Sequence, residues 1–109
     1  MSVILAPILA GKGDAWKAWA EELGGPRREE LADFNVRYGL TKHEAWYCET
    51  PMGNVIVAIH EGPGADSVMH KVSQSEHAFD KWFRGKLLEL HGMDTSKPPP
   101  GPLPVRKIG

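Results

Sequence analysis

His43-Glu44-Ala45-Trp46-Tyr47-Cys48-Glu49-Thr50-Pro51-Met52-Gly53-Asn54-Val55-Ile56-Val57-Ala58-Ile59-His60 reads as a β-hairpin, and that reading decides the class of fold. A helix is the competing reading, because Thr41-Lys42-His43-Glu44 has the S/T-x-x-E form of a capping box. Three features outweigh it. Only about seven residues separate His43 from Pro51; they include Trp46, Tyr47 and Thr50, which suit a pleated surface; and Pro51-Met52-Gly53-Asn54 turns directly into the apolar run Val55 to His60. A loop centred on Met52-Gly53 pairs Cys48 with Val57 and Trp46 with Ile59 on one face. Tyr47 with Ala58 and Glu49 with Ile56 then share the other. The first face is expected to pack on helices. The second, with His43, Ala45, Tyr47, Glu49, Ile56, Ala58 and His60, is expected to face a cavity closed by a second copy of the chain.

Outward from the hairpin, Val3 to Leu9 is an apolar strand, and Asp14 is placed to N-cap a helix whose Trp16, Trp19, Ala20 and Leu23 form one stripe. Gly24-Gly25-Pro26 interrupts it, and Pro26 restarts a second helix carrying Leu31, Phe34 and Tyr38, with Gly39 as its stop. After Gly62-Pro63-Gly64 a helical segment runs from Asp66 or Ser67 to about His91, where Gly92 ends it. The capping-box pattern Ser73-Gln74-Ser75-Glu76 marks a candidate joint within that segment. Residues 1–94 therefore form one domain. Residues 95–109 form a Pro-rich tail, expected to pack along the domain or a sister subunit so as to cover Leu103, Val105 and Ile108.

Composition narrows the function classes. The chain has 109 residues, which suits a single domain. Its net charge is -1, without the basic excess that binding a phosphate backbone requires, so nucleic acid is not an expected partner. The apolar start, Met1 to Ala10, lacks a basic region, contains Pro7 and falls short of the roughly 20 residues that span a bilayer. No membrane association is expected. A single cysteine, Cys48, allows no internal disulfide and no CxxC zinc spacing, which suits the cytoplasm. On the expected core face it is an inert hydrophobe.

The order β-α-β-β-α with an antiparallel sheet is the ferredoxin-like α+β plan with a weak or displaced last strand. Ser75-Glu76-His77-Ala78-Phe79-Asp80-Lys81-Trp82-Phe83 resembles the second-helix pattern of the dimeric α+β-barrel superfamily, which includes antibiotic-biosynthesis-type monooxygenases, haem-degrading monooxygenases and stress-responsive barrel proteins. Trp46, Thr50-Pro51-Met52-Gly53, Leu90-His91-Gly92-Met93-Asp94 and Pro98-Pro99-Pro100-Gly101-Pro102-Leu103-Pro104 resemble, over nearly the whole chain, a small bacterial family of this build whose members carry no assigned reaction. The resemblance implies a homodimer whose two sheets face one another. It implies no single chemistry, since the superfamily hosts many.

Among the candidate site residues, His60 and Tyr47 fall on one sheet face, with Cβ atoms expected within about 5 to 8 Å. His43 and Glu49 extend that face. An imidazole beside a phenol and a carboxylate is equipment for a general base, in proton transfer or in cofactor-independent oxygenation by a monooxygenase. The same residues also suit a polar layer in a non-catalytic binding or interaction protein. The superfamily resemblance adds a third reading, haem held by His91 with Trp82 nearby, although the first strand lacks the Asn that haem-degrading members use. His70 and His77 fall opposite the apolar stripe and are expected to face water, and no metal site is expected.

Overall fold

The computed structural model describes residues 1–97 and 104–109. Its elements follow one another as β1 (Ser2–Pro7), α1 (Gly13–Gly24), α2 (Arg28–Arg37), β2 (Lys42–Thr50), β3 (Gly53–Glu61), α3 (Val68–Gln74) and α4 (Ala78–His91). The strands form an antiparallel sheet in the order β1-β3-β2. The protein is therefore α+β, with β3 at the centre of a three-stranded sheet. No helix among the described residues is long and apolar enough to cross a membrane.

Local chemistry accounts for most boundaries. Gly39 (φ 64°) and Gly92 (φ 66°) adopt the left-handed conformation at the ends of α2 and α4, where a Cβ would be strained. The joint between α3 and α4 is real. Ser75 leaves the helical region with ψ 138°, and His77 Nδ1 accepts from the Phe79 amide to cap α4. His77 and His70 are exposed, as their position on the helix suggested, but His77 has a structural task that the periodicity did not reveal. At α1 the expected cap is corrected: Asp14 lies inside the first turn, Lys12 holds the cap position, and no side chain caps there.

Two readings of the hairpin are corrected. Tyr47 pairs with Ile56, Trp46 with Val57 and His43 with His60, a shift of two residues from the expected register. Thr50 pairs with Gly53, so only Pro51 and Met52 form the loop; Thr50 Oγ1 donates to the Gly53 carbonyl at 2.6 Å and accepts from the Met52 amide at 3.2 Å. A shift of two preserves which residues share a face, but the orientation of the sheet is the reverse of the expected one. Ala6, Ile56 and His60 are buried on the helix side, while Leu5 and Trp46 are 55% and 59% exposed on the other.

The reversal has a steric reason. The helices supply the bulk of the core themselves, through Trp16, Trp19, Phe34, Phe79 and Phe83. Phe34 lies at its centre, 1% exposed, stacked on Phe83 at 5.0 Å and edge-on to Tyr38 at 4.7 Å. Against such bulk the sheet presents small residues and flat imidazoles: Ala6, Ala45, Ala58, His43 and His60. Four of its β-branched residues, Val3, Val55, Val57 and Ile59, fall on the outer face with Trp46 and Cys48, while Ile4 and Ile56 share the helix side. Cys48 is accordingly half-buried on the outer face and not in the core. Of the tail, Pro98 to Leu103 lies outside the described residues; Val105 and Ile108 are 69% and 94% exposed, and Arg106 reaches Met1 Sδ at 4.0 Å.

Candidate functional site

Between the sheet and the helices lies a pocket of about 270 Å³. Ile4, Ala6, Ile56 and Ala58 form its floor, and Trp16, Trp19, Leu31, Phe83 and Leu87 form its walls. Small floor residues create the space, because the alanines on β2 and β3 leave a hollow that the helix aromatics bridge without filling. Ala45 is exposed although it lines the pocket, and so marks its open side. Its ionisable groups are three histidines: His43, His60 and His91.

His43 and His60 face each other across β2 and β3 with ring centroids 4.7 Å apart. Asn35, on α2, fixes the first of them. Its Oδ1 lies 2.9 Å from His43 Nδ1, so His43 carries its proton on Nδ1 and leaves Nε2 as a lone-pair acceptor. Burial, and then the proximity of His60, lowers the His43 pKa to about 4. Burial likewise lowers that of His60, which is 4% exposed and whose Nδ1 has no hydrogen-bond partner among the described residues. His91 donates from Nδ1 to the Pro7 carbonyl at 2.9 Å, anchoring the end of α4 to β1 and again leaving Nε2 bare. Burial lowers its pKa against the opposing pull of the Pro7 and Ala6 carbonyls. Neutral imidazoles in an apolar pocket can accept protons or hydrogen bonds and carry no charge of their own at neutral pH.

This arrangement makes stability depend on pH. The unfolded chain protonates its histidines below about 6.5, whereas folded His43 takes up its proton only near about 4. Between those values the unfolded state binds more protons, so stability falls as the pH falls. The His43 share of that loss is on the order of 3 kcal/mol. Urea unfolding of the wild type and His43→Gln at pH 4 to 7 is expected to give a steeper pH dependence for the wild type; parallel curves would exclude this role for His43.

The other expected site residues do not join the histidines. Tyr47 stands four residues from the His60 pairing position, roughly 13 Å along the strands. Its hydroxyl accepts from Asn54 Nδ2 at 2.8 Å, and its ring packs on Trp16. The expected close approach of Tyr47 to His60 is thus corrected: His43 is the neighbour of His60. Glu49 is exposed at the hairpin end opposite Asn54. Trp82 does not line the pocket; it packs against Trp19 and Phe79 beneath the Arg27 guanidinium, 4.0 Å from its ring. Residues that sequence reasoning missed are Asn35, which orients His43, and Trp16 and Trp19 as pocket walls.

A haem does not fit this pocket. Its volume is below the roughly 300–1,000 Å³ of sites for drug-sized ligands, a tetrapyrrole is larger still, and His91 has no Trp82 beside it there. Among the described residues no group of three His, Cys, Asp or Glu side chains is placed to hold a metal ion. Comparisons with family models, with curated proteins and with solved structures find no match to this chain.

Proposed function

We propose that the chain is a homodimeric, ferredoxin-like α+β-barrel subunit that binds a small organic molecule between sheet and helices and takes a proton from it at the His43/His60 pair. The observation that carries this reading is the pair itself: two neutral imidazoles, 4.7 Å apart, lining an apolar pocket large enough for a substituted ring. Burial keeps both rings in the unprotonated, proton-accepting form at physiological pH while weakening them as bases, and the Asn35 carbonyl oxygen opposite His43 Nδ1 supports the imidazolium formed during transfer. Proton transfer is favoured over oxygenation because the phenol and carboxylate of Tyr47 and Glu49 stand apart from the pair. The lone free cysteine fits a reducing compartment, the cytoplasm.

The outer sheet face supports the dimer. Val3, Leu5, Trp46, Val55, Val57 and Ile59 share it. The chain exposes 7125 Å², against about 6,000 Å² for a compact monomer of 12.0 kDa. Val105 and Ile108, which are exposed, and this uncovered face contribute to that excess.

5-Nitrobenzisoxazole tests the base without knowledge of the natural ligand. Removal of its C3 proton opens the ring: the proton goes to the base, the C–H electrons form the nitrile, and the N–O bond breaks to a coloured phenolate. The protein is expected to accelerate this opening above free imidazole at equal concentration, with a rate that rises with pH as the pair deprotonates. His60→Gln is expected to reduce the rate by about 100-fold, the scale of a lost general base. Acceleration unaffected by His60→Gln and His43→Gln would exclude the pair as the base. Binding of the probe with no acceleration would favour a non-catalytic binding protein.

A further inference from the structure

We infer that the ligand of this pocket is an uncharged, mainly apolar molecule of one ring that carries a hydroxyl, and that the hydroxyl bridges two fixed partners: the Nε2 lone pair of His43, which accepts from it, and the Nε2–H of His60, which donates to it. This rests on the pocket reading above and adds the ligand's chemical class. Three observations carry it.

The first is the opposite polarity of the two rings. Asn35 Oδ1, 2.9 Å from His43 Nδ1, holds the His43 proton there and leaves Nε2 as an acceptor. In His60 it is Nδ1 that is buried without a partner. A buried N–H left unpaired is rarer than an unpaired acceptor, so the His60 proton belongs on Nε2. Neither Nε2 has a hydrogen-bond partner among the described residues, and neither is among the buried unpartnered atoms, so both keep accessible surface. Both rings line the pocket, and that surface opens into it. Their centroids lie 4.7 Å apart, and two hydrogen bonds of about 2.9 Å to one oxygen span up to about 5.8 Å, so a single hydroxyl reaches both. An ether or a ketone oxygen satisfies His60 alone.

The second observation is charge. Among the described residues no Lys, Arg, Asp or Glu lines the pocket, and burial disfavours the protonated forms of its histidines. A carboxylate or ammonium entering it would lose its hydration and find no counter-charge. The third is size: about 270 Å³ with aromatic walls admits one ring and a short substituent. His91 is out of reach of such a ligand once it engages the pair. It is anchored to Pro7, which pairs with Val55, five residues from His60 along β3 and so roughly 16 Å away along the strands. The hydroxyl therefore sits at the pair, which alone offers both a donor and an acceptor, and the apolar body lies against Ala58, Ile56 and Phe83.

The test uses the full ¹⁵N-labelled chain and five monocyclic probes. Phenol carries the hydroxyl; toluene replaces it with a methyl of similar size; anisole keeps the oxygen without its proton; benzoate and benzylammonium carry the two charges. Phenol is expected to bind about tenfold tighter than toluene or anisole, and all three tighter than either ion. In the free protein the imidazole nitrogens are expected to show opposite tautomers, His43 with its proton on Nδ1 and His60 with its proton on Nε2. Phenol, and not toluene, is expected to move the His43 Nε2 resonance upfield as that lone pair accepts. Asn35→Leu removes the group that fixes the His43 tautomer without touching the pocket wall, and is expected to erase the preference for phenol while toluene binds as before. A preference that survives in Asn35→Leu would overturn the His43 lone pair as the acceptor. Equal binding of phenol and toluene, tighter binding of an ion, or the same tautomer in both rings would overturn the ligand class and leave the pocket standing. No binding by any probe at millimolar concentration would overturn both.

Discussion

Asp80→Ala is expected to lower the unfolding free energy by about 3–5 kcal/mol, the cost of breaking a buried charge pair from one side. The Asp80 side chain has no exposed surface, and four donors converge on it. Arg37 Nη1 and Nη2 reach its two oxygens at 2.9 and 2.8 Å, Ser75 Oγ donates at 2.6 Å, and the Tyr38 hydroxyl donates to the same oxygen as Ser75. Burial alone would raise its pKa; the hydrogen bonds from Arg37, Ser75 and Tyr38 outweigh that and hold the carboxyl well below the usual carboxylate range. The group thus ties the end of α2 to the joint between α3 and α4, the helix layer that roofs the pocket. Alanine would leave the Tyr38 hydroxyl and part of the Arg37 guanidinium without partners. Urea unfolding at pH 7 measures the loss, and a change under 1 kcal/mol would contradict this role. Because the Asp80 pKa is depressed, its contribution is present at neutral pH and is lost only in strong acid, below the range where His43 acts.

Trp46→Glu is expected to raise the dissociation constant of the proposed dimer by at least about 100-fold while leaving the subunit folded. Trp46 is 59% exposed and lies outside the core cluster, so its loss costs the subunit little. On the outer face it stands opposite Val57. Truncating a tryptophan anchor at the centre of an interface typically costs about 2 kcal/mol or more, and an unpaired carboxylate on an apolar face adds desolvation. Sedimentation velocity would report the change, with circular dichroism to confirm the fold. A wild type that sediments as a monomer at micromolar concentration would contradict the dimer outright.

Much of the fold was legible because its signals are local. The hairpin, the break at Gly24-Gly25-Pro26, the stop at Gly92 and the joint near Ser75 each depend on a few adjacent residues. The orientation of the sheet was not legible. Both faces of the hairpin are largely apolar, and polarity alone assigns His43, His60 and Tyr47 to the wrong side because it ignores the bulk that the helices bring. The register slipped by two for a local reason: Thr50 closes a two-residue loop where a wider one was expected. In the site, His43 and His60 could be read as sharing a face because a shift of two preserves parity. Asn35 and the two indoles could not, since their relation to the sheet arises only from helix packing. Asp80 gave no signal either: it is one of several charged residues of an amphipathic helix, and Arg37 lies 43 residues away in sequence.

The protonation state of the histidine pair tests the central claim most directly. Long-range ¹H–¹⁵N NMR of the imidazole nitrogens from pH 4 to 8 reports charge and tautomer for each ring. Both rings are expected to be neutral at pH 7, His43 with its proton on Nδ1 and titrating only near about 4, and His60 titrating below its ordinary value. A His43 or His60 that is protonated at pH 7, or that titrates near 6.5 like an exposed imidazole, would contradict a buried pair held in its neutral form.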